Sequence, residues 1–69
     1  MYEPLVFIGQ ASVGNHIRFY NGDVVKVVKA DRKVVDGKVT LTVSNGRESW
    51  TEIHNRGVVV YLTTRDVTG

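Results

Sequence analysis

Four side chains that could bind a ligand alternate along one predicted strand: Glu48, Trp50, Glu52 and His54. Successive strand residues point to opposite faces, so these four share one face. A two-residue turn at 45–46 pairs Leu41 with Trp50 and turns this strip toward the apolar face. A three-residue loop shifts the register and exposes Trp50 between carboxylates, as in a binding hot spot. Both readings stay open, although a small barrel needs one large core residue and this chain has a single tryptophan.

Metal binding and catalysis find little support in the same residues. Glu52 and His54 could supply two zinc ligands, but the only other histidine, His16, is not placed near them by the sequence. The chain has no cysteine, its serines lack identifiable His and acid partners, and no glycine-rich phosphate loop is present. The sequence therefore predicts a non-enzymatic protein without a metal site or cofactor.

A second strip places His16, Arg18 and Tyr20 on one face of a strand, with Ile17 and Phe19 on the other. Tyrosine and arginine are enriched at protein interfaces. The same residue types stack on nucleic-acid bases. Both uses remain open.

A third candidate is a basic stretch that is diluted by Asp23, Asp31 and Asp36. Across a predicted loop at 30–37 its cations could converge on a phosphate, or they could form an ordinary solvated loop. The stretch consists of Lys26, Lys29, Arg32, Lys33 and Lys38.

The elements that position these residues are predicted to be strands. Fourteen valines favour a pleated surface, and no window has the apolar spacing of a helix of three turns. Asn21-Gly22, Asp36-Gly37, Asn45-Gly46 and Asn55-Arg56-Gly57 are typical of tight turns. The predicted strands cover 4–9, 16–20, 23–29, 38–44, 47–53 and 58–64. Residues 1–69 thus form one all-β domain, an antiparallel meander of five to six strands that curls into an SH3-like or similar closed barrel.

Two of these strands carry more apolar surface than one barrel interior needs. Residues 23–29 place Val24 and Val28 opposite Val25 and Val27, and residues 58–62 are apolar on both faces. The second face must be covered by a loop, by the segment 5–8 folding over it, or by another chain. The sequence therefore leaves a homo-oligomer open.

The segment 22–39 resembles the KOW motif of SH3-like barrels through Gly22-Asp23, alternating valines, Lys33 and the run Gly37-Lys38-Val39. Ala30 and Val34 stand where that family carries glycines in its turn. The resemblance implies an SH3-like barrel that contacts RNA, or a transcription or ribosomal partner, around Arg32 and Lys33.

Composition restricts the function classes further. The net charge of +2 comes from interspersed charges of both signs, which permits nucleic-acid binding without arguing for it. No apolar run is long enough to span a membrane, and the start lacks the pattern of a signal peptide. We therefore expect a complete, cytoplasmic protein that begins at its own Met1.

Two functional hypotheses follow from the sequence. The first is a binding module that docks on a larger protein partner through Arg18, Tyr20, Trp50 and Tyr61. By analogy with small stand-alone phage or mobile-element proteins, such a module could modulate or inhibit host machinery. The alternative is an RNA- or DNA-binding barrel that uses Arg18, Tyr20, Lys29, Arg32 and Lys33.

Overall fold

The computed structural model describes residues 2–68, apart from the side chain of Arg32. The strands are β1 (Leu5–Phe7), β2 (His16–Arg18), β3 (Val24–Val35), β4 (Lys38–Ser44), β5 (Ser49–Asn55) and β6 (Val59–Thr63), with a 3-10 helix at Ile8–Gln10. They form one antiparallel sheet in the order β1-β6-β2-β3-β4-β5. The predicted all-β antiparallel class is confirmed, but the prediction of a simple meander was wrong, because β6 lies between β1 and β2. The sheet curls into a half-barrel, and among residues 2–68 no strand pairs with the outer edge of β1 or β5.

The β3–β4 hairpin differs from the predicted loop at 30–37. Strand β3 continues to Val35, which pairs with Lys38 across a two-residue turn. Both turn residues adopt positive φ, 54° at Asp36 and 72° at Gly37. This backbone matches the twist of the flanking strands, so the two strands pair directly beside the turn, after a register shift between Asp31 and Val35. The prediction of a loop here was wrong because one Asp-Gly pair is enough to reverse the chain.

The β4–β5 connection differs from both connections predicted from the sequence, so both predicted registers were wrong. Ser44 pairs with Ser49, so four residues form the loop instead of two or three. The Asn45 side-chain oxygen accepts hydrogen bonds from the backbone N–H groups of Arg47 and Glu48, each at 2.9 Å. An asparagine that bonds its own loop in this way stabilises the longer connection.

The core lies on the concave face of the curled sheet. Val39, Leu41 and Val43 alternate with exposed or half-buried residues along β4, as the sequence predicts. The fully buried residues Ile17 and Val27 contribute from β2 and β3. The remaining members of the core are Ile8, Ala11, Val25 and Val60.

The segment 5–8, one of the three covers that the sequence left open for the second face, does not fold over it. Strand β1 pairs edge to edge with β6, which extends the sheet and leaves Leu5 and Phe7 exposed on the convex side. Val24 is only 2% exposed, although it lies outside the core cluster. Its backbone N–H donates to the Thr68 hydroxyl (3.0 Å), and its carbonyl accepts from the Thr68 N–H (2.9 Å). The segment 64–68 therefore runs back beside β3, next to Val24.

Glu3 ties this returning segment to the sheet. Its carboxylate accepts hydrogen bonds from Arg18 Nε (2.8 Å) and the Thr63 hydroxyl (2.6 Å), and it pairs with Arg65 Nε (3.0 Å). The bond from Thr63, then that from Arg18, and the positive charges of Arg65 and Arg18 hold the pKa of Glu3 below its ordinary value. Burial opposes this lowering of the pKa without overcoming it.

Because the pKa of Glu3 is lowered by folding, its carboxylate stabilises the fold above the ordinary glutamate pKa of about 4.3. That contribution is lost as the pH falls through the lowered pKa. We expect Glu3→Gln to reduce the denaturation midpoint at pH 7 and to differ much less from the parent at pH 3. The measurement is urea unfolding at both pH values, with Glu48→Gln in the exposed β4–β5 loop as the control. An equal deficit at both pH values would contradict this role of the charge.

Candidate binding site

One wall of a cleft on the concave side is made by strand β5. Trp50, Glu52 and His54 lie directly opposite the buried residues Val43, Leu41 and Val39 of β4. Directly opposed residues of an antiparallel pair share a face. The strip therefore lies on the apolar face, but β5 is the last strand of the sheet, and Trp50 remains 36% exposed. The tryptophan is neither a central core residue nor fully exposed, and lies at the edge of the core.

The opposite wall comes from the end of β2 and the turn that follows it. Phe19, Tyr20 and Asp23 face β5 across a space of about 450 Å³, and Val25 and Val58 also line it. Phe19 approaches His54 of β5, with 5.7 Å between ring centroids. Tyr20 is 93% exposed at the rim. We call this space the concave cleft.

Glu52 organises the polar groups of the concave cleft. Its Oε2 accepts a hydrogen bond from the Trp50 indole N–H (2.5 Å), and its Oε1 lies 2.6 Å from His54 Nε2. The carboxylate is thereby held in one orientation between two aromatic rings. A carboxylate has about four lone-pair sites, so Glu52 keeps acceptor capacity for a ligand.

The charge of the concave cleft is opposite to that of the whole chain. Its carboxylates are those of Asp23 and Glu52, and no Lys or Arg lines it within the described part of the protein. The chain as a whole carries +2. Aromatic faces beside carboxylates favour a cationic group, because the ring quadrupole and the negative charge both attract it. The arrangement can bind a cation that carries an apolar stem.

The four residues predicted to bind a protein partner fall on two different faces. Trp50 and Tyr20 both line the concave cleft. Arg18 and Tyr61 pair across β2 and β6 on the convex face, where the Arg18 guanidinium carbon lies 4.2 Å from the Tyr61 ring centroid. Arg18 is also committed to its ion pair with Glu3 and is only 22% exposed. Arg18 and Tyr61 on the convex face therefore stabilise the fold.

The residues of the nucleic-acid alternative are also separated. Arg18 is opposite Val24 at the start of β3, whereas Lys29 and Lys33 follow further along that strand and are exposed. The Lys33 N–H is bonded to the Asp31 carboxylate (2.9 Å), which places an acidic group within this basic stretch. The side chain of Arg32 lies outside the described residues. The structure thus brings Tyr20 to the concave cleft and leaves the lysines along the β3–β4 hairpin.

The two histidines lie on different sides of the sheet. His16 Nδ1 donates to the Arg65 carbonyl (2.8 Å) on the side of the returning segment, away from His54. In the described part of the chain, no group of three or more His, Asp or Glu side chains is placed to hold a metal ion. Within residues 2–68, no helix has the length and hydrophobicity needed to cross a membrane.

No family model, curated protein or solved structure matches this chain. The site must therefore be interpreted from its own geometry. Sequence reasoning identified the strip of β5 but missed Phe19 and Asp23 as its counterparts. The alternation of Ile17 and Phe19 predicts that Phe19 faces the interior. Its contact with His54 could not be predicted, because only the curl of the sheet brings the two rings together.

Proposed function

We propose that the protein is a non-enzymatic module that docks on a larger protein partner through the concave cleft. The observation that carries this proposal is the combination of a half-exposed Trp50 with a carboxylate fixed beside it. Interface hot spots are enriched in tryptophan and tyrosine, and they lie in well-packed pockets from which water is excluded once the partner is bound. Trp50 and Tyr20 provide both residue types on opposite walls of one cleft. A modulator from a phage or mobile element is one form such a module could take.

The test is capture of a protein from nuclease-treated lysate of the native host on immobilised chain. We expect Trp50→Ala to weaken capture of a discrete protein by about 30-fold or more, since hot-spot truncations cost at least about 2 kcal/mol. Thr51→Val, next in sequence but on the other face, is the matched control and should capture normally. Capture that survives Trp50→Ala would contradict docking through the concave cleft.

Nucleic acid is the second candidate partner, and the exposed lysines of the β3–β4 hairpin favour it. The resemblance of 22–39 to the KOW motif points the same way, with an SH3-like closed barrel as the finer fold that it implies. Lys26 and Lys29 share the convex face, since they pair with Ser44 and Thr42. A phosphate binder loses affinity steeply with salt, with log K falling by about 0.9 per contact on duplex DNA. Failure of labelled DNA and RNA oligomers to bind at low salt would exclude this candidate.

A further inference from the structure

The free edge of β5 adjoins the concave cleft, and its hydrogen-bonding groups can be assigned from the register. Asn45 N–H donates to Glu48 O (3.2 Å), and Arg56 N–H donates to Gly37 O (2.9 Å). Hydrogen-bonded pairs alternate along an antiparallel ladder. Trp50, Glu52 and His54 therefore use their backbone groups to bind β4. The backbone N–H and C=O groups of Ser49, Thr51 and Ile53 point away from the sheet.

This edge is unprotected compared with the other end of the sheet. Strand β5 has seven residues, without proline or lysine, and its residue Ile53 is 66% exposed. Strand β1 has only three residues, and the Phe7 N–H is already bonded to the Gln10 side chain (3.4 Å). Exposed edges of this kind pair readily with an added strand. The long edge is the one that can accept a partner.

A strand added to β5 would place every second side chain in the concave cleft. Side chains opposite Trp50 and Glu52 point to the concave face, because directly opposed residues share a face. The cleft offers carboxylates and aromatic rings without Lys or Arg among its described lining residues. Phe19 approaches His54 near the C-terminal end of β5, so the space for the added strand lies beside 49–53.

From this geometry we infer that the partner contributes an extended segment that pairs with β5 and inserts a Lys or Arg side chain beside Glu52. The inference rests on the proposed docking function and specifies the partner. Backbone hydrogen bonds with Thr51 and Ile53 align the added segment with β5. The cation between Trp50, Tyr20 and Glu52 makes the site selective for a segment that carries Lys or Arg. Charge complementarity distinguishes this partner from a second copy, because strand β5 of a second copy contains no Lys or Arg to place beside Glu52.

The probe is a seven-residue peptide, acetyl-Thr-Val-Thr-Lys-Thr-Val-Thr-amide, titrated into the labelled protein and followed by NMR. We expect shifts of the Trp50 indole and of the Thr51 and Ile53 amides. A peptide with Glu for Lys should bind at least tenfold more weakly, and N-methylation of the two central threonines should abolish binding. Equal affinity of the Lys and Glu peptides, retained binding after N-methylation, or no shift at millimolar peptide would overturn the inference.

The protein variants separate this inference from the docking function. Thr51→Pro removes an N–H that faces away from β4, so it blocks an added strand without removing a ladder hydrogen bond. Thr51→Val keeps that N–H and should bind the Lys peptide normally. If the captured protein is lost with Trp50→Ala but retained with Thr51→Pro, docking through the cleft stands and strand addition fails. Light scattering of the free protein tests the second copy: a dimer that Thr51→Pro dissociates would overturn the cationic partner.

Discussion

Ile17→Ala is expected to lower the free energy of unfolding by about 2–5 kcal/mol, the usual cost of truncating a buried isoleucine. Ile17 is fully buried in β2, between Val25 of β3 and Leu62 of β6. At about 0.05–0.15 kcal/mol per residue, a domain of this size has only about 3–10 kcal/mol in total. The variant should therefore be partly unfolded at room temperature or lose most of its denaturation midpoint in urea, measured by circular dichroism.

Ile53→Ala is the matched control, because it deletes the same atoms from a side chain that is 66% exposed. Its cost should stay below about 1 kcal/mol, the span of intrinsic strand preferences. Equal losses for the two variants would mean that the concave face around Ile17 is not the core.

Removal of residues 64–69 is expected to cost about 2–3 kcal/mol. Val24 would lose the segment that lies beside it, and exposing a buried valine costs about 1.5–3 kcal/mol. The backbone hydrogen bond from Thr68 to Val24 and the two bonds of the Thr68 hydroxyl to Val24 are lost as well, together with the pairing of Arg65 with Glu3. The measurement is the urea midpoint of a chain that stops after Thr63, compared with the parent.

Thr68→Val is the control for this truncation, because it removes only the hydroxyl, which accepts from the Val24 N–H and donates to the Val24 carbonyl. The carbonyl keeps its bond from the Thr68 N–H, so the cost should lie within the range of about 0.5–1.5 kcal/mol for one hydrogen bond. A truncated chain as stable as the parent would show that residues 64–68 do not cover the second face.

The sequence predicts the strands well where alternation is regular and turn residues are specific. Strand β4 has the predicted bounds 38–44, and its buried positions alternate as expected. Asp36-Gly37 and Asn45-Gly46 look equivalent in sequence, yet they form connections of two and four residues. The difference lies in the side-chain bonds of Asn45 to Arg47 and Glu48, which no dipeptide pattern contains.

Only one wall of the candidate site could be predicted, because local sequence patterns contain no information on how distant strands meet. Local alternation places Trp50, Glu52 and His54 together, because they share one strand. Phe19 and Asp23 join them only through the curl of the whole sheet, a property of many strands at once. Glu3 carries no local signal either, since its partners Arg18, Thr63 and Arg65 are distant in sequence.

The strand order has a consequence for how the chain folds. Strands β3, β4 and β5 are joined by short turns, whereas β1 and β2 must find β6 across most of the chain. Local hairpins form before pairings that close long loops, because loop closure costs conformational entropy in advance. We therefore expect the meander of β3–β5 to form early and the docking of β6 to complete the sheet. Trp50 lies in this early meander, whereas Val58 directly precedes β6. Because both residues line the concave cleft, a ligand that contacts both would bind only chains that have finished folding.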